Sequence, residues 1–176
     1  QNETKELELL NTMLGKQVDG IVMMSDHVTD KIASAIRQSP VPVVLAGSII
    51  NDSSIPSVNI DYFQAAMDAI QLFINKGHKE IAFVSGPLEY TINGEHKLGA
   101  YKQALQQANI EINEQLIDAT DGTYDEALLS WESFVQKAHV PTAIFAGSDE
   151  IALGIIHAIQ DAGKRVPEDV EVISFE

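Results

Sequence analysis

Eight side chains in this sequence sit where an apolar run stops and could together hold a ligand: Asp26, Ser48, Asp61, Ser85, Asp121, Ser148, Asp149 and Glu176. In open parallel sheets ligands bind beyond the C-terminal ends of the strands. Carboxylates and hydroxyls gathered there suit a ligand with many hydroxyl groups. Each carboxylate can accept two hydroxyl hydrogen bonds, and bonds to charged groups are the stronger kind. Taken singly, each of these residues is also an ordinary helix cap or loop residue. A phosphate would be repelled unless a cation joined the set. The candidate cation is Lys97, close to helix-start N–H groups around Asn93. Lys97 reads equally well as a solvated surface lysine.

Catalytic patterns are absent. There is no Gly-x-Ser-x-Gly elbow, no phosphate loop ending in Gly-Lys-Ser/Thr, and no Gly-x-Gly-x-x-Gly. His27, His78, His96, His139 and His157 are scattered at no metal-ligand spacing. Trp131 stands at helical core spacing. No catalytic residue, metal or cofactor is expected, and the chain does not read as an enzyme.

The elements that must position these residues alternate. A helix is expected over 1–16, with Leu7, Leu10 and Leu14 on one face. Strands are expected at 18–24, 41–46, 57–60, 81–84, 115–119, 143–146 and 170–175. Thr29 and Asp61 cap intervening helices, as does Ser148 or Asp149, and Asn93 can cap another. The unit from Pro141 to Gly163 organises the rest. Ala143 to Ala146 is apolar throughout, as in a strand buried on both faces. The helix after it is apolar almost all round, through Ile151, Ala152, Leu153, Ile155, Ile156, Ala158 and Ile159. That is enough surface to cover a sheet and also meet a second subunit. Strand–helix alternation predicts parallel sheets with helices on both faces. VPVVLAGS at 41–48 and VPTAIFAGS at 140–148 lie about a hundred residues apart, as in two lobes of similar build. No clear start signal precedes the first helix and no helix follows the last strand, so the chain reads as truncated at both ends.

Composition narrows the function. The 176 residues carry 11 Lys and Arg against 26 Asp and Glu, a formal charge of −15. Each phosphate contact on DNA needs a cation, so these residues are not expected to bind nucleic acid themselves. The absence of cysteine suits a reducing compartment, the start is not a signal peptide, and no run approaches a membrane span. A cytoplasmic location is expected.

Four stretches carry a resemblance. They are VDGIVMM; GHKEIA continuing to Ser85-Gly86-Pro87; PTAIFAGSDEIALG; and VPEDVEVISFE. Together they resemble the effector-binding core of the lactose-repressor (LacI/GalR) family of transcription regulators, over the whole chain. Tyr90 to Asn93, Gly99 to Leu105 and ALGIIHAIQDAG resemble the carbon-catabolite-control branch of that family.

The resemblance implies α/β architecture with two Rossmann-like lobes of the type I periplasmic-binding-protein kind. The first lobe would span 1–80 without its first strand, and the second 81–176 without a closing segment. It implies a DNA-binding headpiece before Gln1, a homodimer, and no membrane. It also implies serine-phosphorylated HPr as corepressor, with fructose 1,6-bisphosphate and glucose 6-phosphate as adjunct effectors. The implied effector positions are Asp61 from the first lobe, then Asn93, Lys97, Ser148, Asp149 and Glu176. The implied dimer contacts are Leu7, Leu10, Ile151, Ile155, Ile156 and Ile159.

Some positions depart from the family pattern. Lys97 stands where arginine is common, so two-pronged recognition is lost. Gly122 stands where many members have an aromatic, and Glu176 replaces a usual aspartate. These departures fit weak or adjunct effectors better than tight free-sugar binding. Two other classes share the layered fold: an extracellular sugar-binding protein of a transporter, and a small hydrolase or sugar isomerase. A signal peptide upstream of Gln1 would mark the former. Only the strand-end carboxylates speak for the latter.

Overall fold

The structure, a computed structural model, describes residues 3–25 and 27–175. Two compact units divide between Ile60 and Asp61.

The first unit contains α1 (Glu3–Gly15), β1 (Ile21–Met24), α2 (Asp30–Arg37), β2 (Val43–Ala46) and β3 (Ser57–Val58). Its strands are parallel in the order β1-β2-β3. Thr29 caps α2 as expected, its hydroxyl accepting from the Ile32 amide. Leu10, Ile32, Ala33 and Ile36 pack with Val43 and Leu45, so both helices serve one core cluster. Strand side chains alternate, and the residues between therefore point away from that cluster. Val22 is 73% exposed and Met24 80%. Helices on both faces are thus not seen in this unit among the described residues.

The second unit contains α3 (Tyr62–Asn75), β4 (Ile81–Ser85), a π-helical segment (Ile92–Leu98), α4 (Gly99–Gln107), a 3₁₀ turn (Glu114–Leu116), β5 (Ile117–Ala119), α5 (Tyr124–Gln136), β6 (Ala143–Ala146), α6 (Asp149–Asp161) and β7 (Glu171–Ser174). All strands pair in parallel, in the order β5-β4-β6-β7. Here both faces are covered. Ile81, Phe83, Ala143 and Phe145 pack under α3 and α4 with Ala66, Ile70, Phe73 and Tyr101. Ala82, Val84, Ile144 and Ala146 pack under α5 and α6 with Trp131, Phe134, Ile151 and Ile155. The alternation explains why β4 and β6 show no polar residue before their ends.

The boundary expected near residue 80 moves to 60/61. That expectation puts helix α3 in the first lobe, but its stripe of Ala66, Ile70 and Phe73 is buried against Phe83 and Tyr101 of the second. Hydrophobic burial, not chain order, decides the partner of an amphipathic helix.

Lys76, at the end of α3, is tied to the start of β7 by a 2.8 Å ion pair with Glu171. His78 lies 3.7 Å from the same carboxylate and 2.8 Å from the Thr142 hydroxyl. The Lys76 hydrogen bond is the chief reason that the Glu171 carboxyl titrates below its ordinary range. A depressed folded-state pKa gives stability that is full above the unfolded value, about 4.3, and is lost as pH falls through the lowered one. Glu171→Gln should therefore lower the Tm near neutrality, and the gap from wild type should narrow as pH falls below about 4.3. A gap that stays constant in a pH series of thermal melts contradicts this assignment.

Candidate functional site

The C-terminal edge of the second sheet is built from adjoining strand ends. Val84 pairs with Ala146, and Ala146 with Ser174. Ser85, Gly147 and Phe175 come one residue further on. The Gly147 amide donates to the Val84 carbonyl at 2.7 Å. A β-carbon at Gly147 would lie 2.6 Å from the Ser85 hydroxyl oxygen and 3.1 Å from its Cα, so only glycine lets the end of β6 lie against β4. Ser85 is fully buried, and its hydroxyl finds no hydrogen-bond partner among the described residues.

Ser148 and Asp149 come directly after. The Ser148 hydroxyl caps α6 by accepting from the Ile151 amide at 3.3 Å. Asp149 opens the helix, where the dipole favours a carboxylate. Its carboxylate accepts from the Ser174 hydroxyl at 2.5 Å, which links α6 to the end of β7.

Lys97 reaches the same junction from the π-helical segment. It is only 4% exposed, so the solvated-lysine alternative does not hold. Its ammonium donates to the Gly147 carbonyl at 2.5 Å and to the Phe175 carbonyl at 3.1 Å. It also stands 5.4 Å from the centre of the Phe175 ring. Asn93 lies in the same segment and is not a cap. The Gly94 amide already bonds to the Tyr90 carbonyl, so helical bonding begins before Asn93. Asn93 instead donates to the Pro87 carbonyl at 3.3 Å, beside Gly86 at the end of β4.

Asp61 is exposed and caps α3, accepting from the Gln64 amide at 2.9 Å. It travels with α3 into the second unit and is not a first-lobe contact. Its neighbour Tyr62 places its ring 5.9 Å from that of Phe175. Asp61, Asn93, Lys97, Ser148 and Asp149 therefore belong to one unit, near the ends of one sheet's strands. Asp26 and Glu176 lie outside the described residues.

Other strand-end residues serve the fold. The buried Ser48 hydroxyl donates to the Ser25 carbonyl and accepts from the Ser25 amide, tying β2 to β1. The Ser25 hydroxyl in turn donates to Glu6 on α1 at 3.0 Å. Asp121 accepts from both the hydroxyl and the amide of Thr123, and these bonds, the hydroxyl's first, hold its carboxyl below the usual range.

The expected dimer residues divide differently from the sequence reading. Ile151, Ile155 and Ile159 are buried in their own unit's core and cannot meet a second copy. The reason is Gly154, whose missing side chain lets α6 press onto α5: a β-carbon there would sit 2.6 Å from the Tyr124 carbonyl and 2.9 Å from Ala127 Cβ. Ile156 is half-buried, and Leu153, absent from the expected set, is 54% exposed. On α1, Leu10 is buried and Leu7 half-buried in the first unit's core, whereas Leu9 and Met13 are exposed.

Among the described residues no group of three or more His, Asp or Glu could hold a metal ion. No described helix is long and apolar enough to cross a membrane. A groove of about 630 Å³ opens at the opposite end of β4, between α4 and the segment 109–116. Its buried Tyr101 hydroxyl is already committed to the Ile81 carbonyl at 2.8 Å.

Residues 70–176 match the model of the periplasmic binding protein-like domain. Catabolite control protein A of Priestia megaterium is 52% identical over 176 residues, which is all of this chain and 53% of that protein. The crystal structure of the transcription regulator CcpA of Lactococcus lactis superposes with a TM-score of 0.87 at 38% identity, covering 98% of this chain and 63% of that one. A sugar-binding transcriptional regulator of the LacI family from Escherichia coli, solved in complex with phosphate, gives 0.81 at 29% identity, covering 98% and 62%. The chain spans about half the length of the curated relatives it matches. Both solved structures are named as transcription regulators, not as enzymes. The chain thus belongs to the periplasmic-binding-protein-like domain family, and within it is similar to the effector-binding core of LacI-family transcription regulators.

Proposed function

We propose that this chain is the sensing and dimerisation part of a cytoplasmic DNA-binding repressor of carbon catabolite control. Its ligand is a phosphorylated sugar, held at the C-terminal edge of the second unit's sheet. The observation that carries this reading is the gathering of Asn93, Ser148 and Asp149 around the buried cation Lys97 at the ends of β4, β6 and β7. Asp149 and Ser148 offer acceptors to sugar hydroxyls, and Lys97 lowers the cost of bringing an anion into an acidic chain. Asp61 and Glu176 complete the proposed set.

Operator DNA is met through a headpiece outside these residues, and serine-phosphorylated HPr acts as corepressor. No residue of this chain is assigned to that contact. Dimerisation uses the outward side chains, Leu153 and Ile156 of α6 and Leu9 and Met13 of α1. Ligand binding then biases the equilibrium between lobe arrangements, which the dimer passes to the headpiece.

Calorimetric titration of the intact regulator with fructose 1,6-bisphosphate tests the site. Asp149→Ala should weaken binding by about tenfold, the worth of one charge-assisted hydrogen bond. Undiminished affinity in that variant removes Asp149 from the site.

A further inference from the structure

Lys97 is the only buried charged side chain among the described residues. Burying an ammonium is costly unless hydrogen bonds replace its water. The replacements here are protein carbonyls: Gly147, just past the end of β6, and Phe175, just past the end of β7. These flank the last ladder pair, Ala146 with Ser174. The contacts close a circuit. It runs from Lys97 to Gly147, along the chain through Ser148 to Asp149, across the 2.5 Å bond to Ser174, and on to Phe175, which returns to Lys97. Ser148 and Asp149 sit inside that circuit and open α6.

We propose that Lys97 is a positioning residue: its ammonium pins the ends of β6 and β7 and thereby sets how Ser148 and Asp149 are presented. It does not reach out to a ligand's phosphate. Two of its three N–H donors are already committed to those carbonyls, and the side chain is only 4% exposed. The charge still favours an anion nearby, but the hydrogen bonds serve the scaffold. The consequence for binding rests on the effector-edge reading above. The positioning role itself needs no ligand.

The test uses the intact regulator without ligand. In ¹⁵N-lysine-labelled wild type, the Lys97 ammonium should give a slowly exchanging Nζ resonance near neutral pH, where solvated lysines exchange too fast to be seen. In Lys97→Met, amide exchange at Gly147, Ile151 and Ala152 should accelerate by about tenfold or more, as loss of a hydrogen bond to a charged group implies. Amides of α5 should stay protected, and Lys97→Arg should recover most of the protection. A fast-exchanging Nζ in wild type, or unchanged protection in folded Lys97→Met, overturns the proposal. Should Lys97→Met fail to fold, the wild-type resonance and the arginine variant decide.

The two readings fail separately. Loss of fructose 1,6-bisphosphate binding in Lys97→Met with apo protection intact makes Lys97 a direct phosphate contact and refutes the strut alone. The strut signature without any fructose 1,6-bisphosphate binding leaves the strut and refutes the effector reading.

Discussion

Ile155→Asp is expected to abolish folding of the second unit, whereas Leu153→Asp, two positions away, should leave the fold intact and turn the intact regulator into monomers. Ile155 is fully buried between α6 and the sheet, among Ala82, Val84, Trp131 and Phe134. A carboxylate there has no cation to meet and costs at least about 4 kcal/mol, a large part of a domain's stability. Leu153 faces outward at 54% exposure, so an aspartate in its place stays in water. In a dimer that buries Leu153 on both copies, the same substitution places a charge in an apolar contact. Circular dichroism separates the two variants by fold, and sedimentation velocity by assembly state. A folded Ile155→Asp protein contradicts the packing, and an unchanged sedimentation coefficient for Leu153→Asp contradicts the outward face.

The second large effect is at Gly154. Its α-hydrogen faces the backbone of α5, and a methyl group there would lie 2.6 Å from the Tyr124 carbonyl and 3.3 Å from the Leu128 amide. Neither is the flexible end of a side chain, so the helices must move apart. Alanine is the better helix former by about 1 kcal/mol. Overpacking should outweigh that gain, for a net loss of about 2–3 kcal/mol. Gly99 at the start of α4 is the contrast. A methyl there meets only the Phe63 ring, at an ordinary 3.6 Å. Gly99→Ala should therefore be neutral or slightly stabilising. Urea denaturation of the intact protein gives both numbers, and a neutral Gly154→Ala contradicts the close contact of α5 with α6.

How far the sequence is legible depends on how local each feature is. Caps are set within four residues, so Thr29, Asp61 and Ser148 can be read from their own type and that of the next few residues. The β6 strand is legible because a run buried on both faces has only one pattern. Asn93 misleads because residue type alone does not show that helical bonding starts at Tyr90. The fate of α6 is only half legible. A helix apolar all round does not say which stripe meets its own sheet, and the deciding contact is between Gly154 and the Tyr124 backbone, thirty residues upstream. The partner of α3 is not legible for the same reason: its stripe fits any parallel sheet. Burial of Lys97 depends on Gly147 and Phe175, both distant in the chain.

A sugar phosphate bound where β4, β6 and β7 end would perturb the amides of those strand ends. The direct measurement is a titration of fructose 1,6-bisphosphate into the ¹⁵N-labelled intact regulator, monitored by amide chemical shifts. The largest saturable shifts should fall on Gly86, Asn93, Ser148, Asp149 and Phe175. Shifts confined to the groove between Lys79 and Leu116, at the other end of β4, would contradict it.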